Sequence, residues 1–169
     1  MDYLKLFADQ ERHGFPDLAG SSGEGSIHVS ERLLNGIIAD QLEGSASIKS
    51  LHVTPHGGDR FSVRVSVAKA SFLPPISIEV IVEKQPSLPG DPVMVLGLSG
   101  LGGLLRFAGA FLKSLPPGVR MEGERVFIDI RAALAAKGLA SMLNYLEAVR
   151  VTSQEGRVIV SFKVRAGGA

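Results

Sequence analysis

The chain has 169 residues, 45 % hydrophobic and 21 % charged. This balance excludes intrinsic disorder and supplies one domain with a sizeable core. A formal net charge of +1 is too small for the footprint of a nucleic-acid binder, and the absence of cysteine excludes disulfides and thiolate chemistry.

Residues 1–26 read as a short amphipathic helix (Tyr3, Leu4, Leu6, Phe7) followed by a flexible linker rich in glycine, serine and proline. Acids arrive early and no apolar h-region follows, so this is no signal peptide as written. That reads as cytoplasmic for the chain as it stands, and as exported or membrane-associated if a leading segment has been removed. A single domain is expected over 27–165, with a disordered tail at 166–169.

Ser30 is placed as an N-cap, with Glu31 in the first helical turn. Leu33, Leu34, Ile37, Ile38 and Leu42 recur at helical spacing until Gly44; Asn35 and Asp40 fall off that stripe. A hairpin follows. Ile48, Leu51 and Val53 lie on its first strand, PHGGD makes the turn, and Phe61, Val63, Val65 and Val67 alternate with Ser62, Arg64, Ser66 and Ala68. A third strand over 76–83 turns Ile76, Ile78, Val80 and Val82 inward and sets Glu79 or Glu83 across from Arg64.

Residues 92–115, PVMVLGLSGLGGLLRFAGAFLKSL, are the most apolar part of the chain, with five glycines and only Arg106 and Lys113 charged. They read as a short strand, a glycine turn and a helix apolar on nearly all sides, which must be buried in a core, in lipid or against a partner. The uncharged run over 92–105 falls short of the ~18–20 residues of a membrane span. Beyond it, 119–122 and 125–130 read as strands around a Glu-Gly-Glu turn. Asp129 caps an alanine-rich helix, and a hairpin over 147–165 closes the chain. Val53-Thr54 and Gly58 recur as Val151-Thr152 and Gly156. This suggests a two-fold helix–hairpin pseudo-repeat with 92–115 at its junction.

No catalytic or metal motif survives inspection. The P-loop pattern from Gly97 meets Gly103 and Leu104 where Lys and Ser/Thr are required, and the dinucleotide pattern from Gly100 meets Leu105 at its third glycine. His52 and His56 lie at a strand end and turn and lack ligands at metal spacing. The serines lack a nucleophile-elbow context. The sequence accordingly points to no catalytic residues, no metal and no cofactor. Lys49, Arg60, Arg64 and Lys69 on one hairpin, and Arg150, Arg157, Lys163 and Arg165 on the other, read as solvated faces with a weak attraction to anionic membranes as the functional version.

The helix VSERLLNGIIADQL, the late segment VFIDIRAALA and the order helix, long strands, apolar central helix, helix, hairpin resemble small bacterial members of the tubular lipid-binding (TULIP-like) superfamily. The resemblance implies a highly curved antiparallel sheet wrapped around a long apolar helix, with a groove for acyl chains and no catalytic residues. The fold expected is therefore α+β, and the function non-enzymatic binding or carriage of a lipid or other apolar ligand between curved sheet and central helix. Leu101, Leu104, Leu105, Ala108, Phe111 and Leu112 are the helical lining residues, faced by Val63, Val65, Ile78 and Val80. The alternative is a structural or protein-interaction module whose central helix is plain core or a homodimer seam.

Overall fold

The computed structural model describes residues 19–44, 48–68, 74–100 and 115–166. Its strands are β1 (Ser22–Ser30), β2 (Ile48–His56), β3 (Arg60–Val67), β4 (Ile76–Lys84), β5 (Val93–Ser99), β6 (Val119–Glu122), β7 (Arg125–Asp129), β8 (Leu146–Gln154) and β9 (Arg157–Arg165). Helix α1 (Glu31–Leu42) joins β1 to β2; α2 (Ile130–Ala136) and a 3₁₀ turn (Ala140–Asn144) join β7 to β8. All strand pairs are antiparallel, in a six-stranded sheet of order β2-β3-β4-β5-β7-β6 and a three-stranded sheet of order β1-β9-β8.

This is a sheet-rich α+β fold, and it corrects the expected architecture. Among the described residues there is no long central helix wrapped by a sheet; the helices are two short ones at the ends of strands. Val93–Ser99 forms the short strand expected at the start of 92–115, and it lies inside the sheet, hydrogen-bonded to β4 and β7. Both of its faces are covered as well as its edges, Met94 and Val95 on opposite faces each being 8 % exposed, so it can be apolar at both parities. The strand before α1 pairs with the last hairpin, and the strand before α2 pairs in the sheet of the first. The remainder of the expected helix, 101–114, lies outside the described residues.

Both helices start where the caps place them. Ser30 Oγ accepts from the Leu33 N–H at 3.3 Å, and Asp129 Oδ1 from the Ala132 N–H at 3.1 Å, each satisfying a donor that the first turn leaves unpaired. The glycine-rich SGEGS, read as linker, instead forms the first half of β1. Gly25 has a reason to be glycine, since a Cβ there would sit 3.0 Å from the Phe162 ring. Register also corrects the expected cross-strand pair: Arg64 faces Ser77, Glu79 faces Ser62, and Glu83 reaches across Gly97 to Arg125 at 2.7 Å.

The two sheets are joined at the tips of their hairpins. Ser153, 5 % exposed, donates its hydroxyl to the carbonyls of His56 (2.6 Å) and Arg60 (3.3 Å), while its N–H donates to Asp59 Oδ1 at 3.0 Å. Asp59 adopts φ +57° in this turn, a region that Asp tolerates better than most residues. The Gly156 N–H donates to the Pro55 carbonyl, and the Glu31 N–H to that of Gly156.

Two sheet edges are closed by a side-chain amide acting as a substitute strand. On β2, the Val53 N–H donates to Asn35 Oδ1 (2.7 Å) and its carbonyl accepts from Asn35 Nδ2 (2.8 Å). On β8, the Val151 N–H donates to Gln85 Oε1 (2.9 Å) and its carbonyl accepts from Gln85 Nε2 (2.6 Å). A primary amide has the donor and acceptor of a peptide group, so each pair restores what a missing neighbour strand would supply.

Candidate functional site

The inner face of the six-stranded sheet is apolar in rows that run across the strands. Val53, Val63 and Ile78 form one; Phe61, Val80 and Leu98 a second; Val82, Leu96, Val126 and Met121 a third. These rows arise because each strand carries apolar residues at alternate positions, and antiparallel pairing sets the inward positions of neighbouring strands side by side. The opposite face carries Ser62, Arg64, Ser77 and Glu79.

Over these rows lies a cavity of about 320 Å³. Met94 and Leu51 extend its floor. Val151 and Val158 from the three-stranded sheet and Leu34 from α1 also line it, and the sixteen described residues that line it all have apolar side chains. The volume is about twice the ~150 Å³ of an engineered apolar cavity that stays dry and takes up benzene. It also falls within the ~300–1,000 Å³ usual for ligand sites.

Val63, Val65, Ile78 and Val80, expected to face a ligand, all line this cavity. Leu101, Leu104, Leu105, Ala108, Phe111 and Leu112 lie outside the described residues. Sequence reasoning missed Met94, Leu96 and Leu98: VMVLGL is apolar at both parities, so no alternation selects a face. Val151 and Val158 were read as hairpin residues, and nothing local shows that they close a cavity over another sheet.

Polar clusters lie elsewhere, at the surface. His52 Nε2 is 3.0 Å from Glu31 Oε1, and 54 % of its side chain is exposed. His56 bridges Glu155 (3.4 Å) and Ser62 (2.8 Å), giving a serine, a histidine and an acid in sequence. Ser62 also donates to Glu79 Oε1 at 2.9 Å, which diverts the proton a nucleophile would pass to histidine. Glu155 is 81 % exposed, and none of the four residues lines the cavity. Among the described residues, no three potential ligands converge on a metal position and no helix is long and apolar enough to cross a membrane. Lys163 and Arg165, two of the cations expected on a wet face, both pair with Glu147.

No family model, curated protein or solved structure matches the chain. The likeness to tubular lipid-binding proteins therefore stands on the sequence patterns alone.

Proposed function

We propose that this chain binds a lipid or similarly apolar ligand, without chemistry, in the cavity over the six-stranded sheet. The observation that carries the reading is the lining: among the described residues, sixteen apolar side chains around about 320 Å³. Apolar burial contributes ~25 cal/mol per Å² before ordering costs. A ligand group with an unmet hydrogen bond would lose ~1–3 kcal/mol there. The site thus selects an acyl or comparable hydrocarbon portion whose polar end stays in water. Among the described residues, Val151, Val158 and Leu34 form the wall opposite the sheet.

The competing reading, an interaction module, is favoured by exposed apolar side chains on β1 and α1: Ile27, Leu33 and Ile37 are 55 %, 54 % and 51 % exposed. Native mass spectrometry with organic extraction, and titration with a fluorescent fatty acid, separate the two. Recovered lipid or saturable uptake is expected; a clean apo mass without uptake overturns ligand binding. Val63→Trp and Leu96→Trp fill the cavity and should abolish uptake with little change in circular dichroism. Uptake unaffected by both would remove this cavity as the site.

A further inference from the structure

We infer that β1 is a homodimer edge, joining two copies of this chain antiparallel through β1 of each, centred on Ser26. This does not rest on ligand binding. β1 is nine residues long and pairs with β9 from Ser22 to Ser30 without a register shift. The Glu31 N–H donates to Gly156 across from it. In an antiparallel pair, bonded positions alternate. Odd-numbered residues therefore bond β9, and Ser22, Glu24, Ser26, His28 and Ser30 present N–H and C=O groups outward. Among the described residues, no backbone hydrogen bond reaches that outer side. The strand has no proline, no lysine and no bulge, the usual devices against edge pairing.

The other edges differ. β2 and β8 are closed by Asn35 and Gln85 and carry register shifts, and β6 has four residues.

A second copy is the occupant because the strand is complementary to itself. Reversed about Ser26, SGEGSIHVS sets Glu24 opposite His28, Gly25 opposite Ile27, Gly23 opposite Val29, and Ser22 opposite Ser30. Both copies of Glu24 thereby gain a basic partner, and each large apolar side chain meets a glycine. The pairing covers Ile27, 55 % exposed in the single chain. It also makes the two three-stranded sheets one six-stranded sheet.

Sedimentation equilibrium of the full chain tests this, with a mass of twice the chain at high concentration as the expected result. Ser26→Pro removes an outward N–H that β9 does not use and should weaken the dimer about tenfold or more, through two lost bonds. Glu24→Lys sets like charges opposite His28 and should weaken it by a similar factor. Exchanging the two, Glu24→Lys with His28→Glu, should restore it. Ser26→Cys supplies the sole cysteine of the chain. At a bonded antiparallel pair the two Cα atoms lie about 5.5 Å apart, within the ~4.4–6.8 Å that a disulfide spans, so mild oxidation should give a linked dimer. A monomer at all concentrations overturns the inference. So does a dimer indifferent to both Ser26→Pro and Glu24→Lys, or no cross-link from Ser26→Cys.

Discussion

The edges of β2 and β8 and the edge of β1 face the same physical difficulty and meet it differently. On the first two, a backbone amide that points away from its hairpin is taken up by a primary amide side chain. On β1 the outward amides are left to solvent or to a second copy. The difference lies in what adjoins each edge. β2 lies under α1 and β8 beside the loop after β4, so their outward groups are half-buried and must be paired within the chain. β1 is almost wholly exposed, so water meets its needs in the monomer and nothing in the fold demands a cap.

The comparison is broken most strongly at Asn35. Asn35→Leu keeps the helix and the bulk but strands the Val53 N–H and C=O, which should cost ~2–4 kcal/mol in urea denaturation. Gln85→Leu does the same at Val151 and should cost ~1–3 kcal/mol; Gln85 lies outside helix and strand, whereas Asn35 is also held by its own helix through Glu31 O at 2.9 Å. An equal or reversed order would show that helix anchoring does not matter. Ser153→Ala loosens the junction of the two sheets and should cost ~1–2 kcal/mol. Ser26→Lys on the bare edge should change the unfolding free energy of the monomer by less than ~0.5 kcal/mol. A larger loss would mean that β1 is constrained in ways its exposure does not show.

The smallest effect concerns acid. Asp91 is held below the ordinary carboxylate range, first by its hydrogen bond from Lys84 and then by the Val93 N–H at 3.3 Å. With Ser87 it also staples the loop that presents Gln85. A depressed folded pKa means that the stabilisation is fully present above the unfolded value, near 3.8. It is lost as pH falls through the folded value. Because Asp91 is exposed, the effect is small. Asp91→Asn should flatten the acid limb of stability against pH below about pH 4, and an unchanged limb would remove Asp91 from the account.

Much of the fold was legible locally. The two caps, the strict alternation of β3 and β4 and the glycine turns of both hairpins follow from short-range geometry, and all appear where the pattern puts them. SGEGS failed because pairing with β9 and packing of Phe162 over Gly25 override a composition that reads as linker. The face of β5 failed because a strand apolar at both parities gives alternation nothing to select.

By itself, the sequence determined which residues cap, turn and alternate, and hence that sheets with one apolar face would form. It also placed Val63, Val65, Ile78 and Val80 on that face. Tertiary structure alone decided that β1 leaves its own helix to pair with β9, that Asn35 and Gln85 serve as strand substitutes, and that Val151, Val158 and Leu34 wall a cavity over another sheet. These are contacts between residues distant in the chain. Short-range periodicity contains the direction each side chain faces, but not the partner that it meets there.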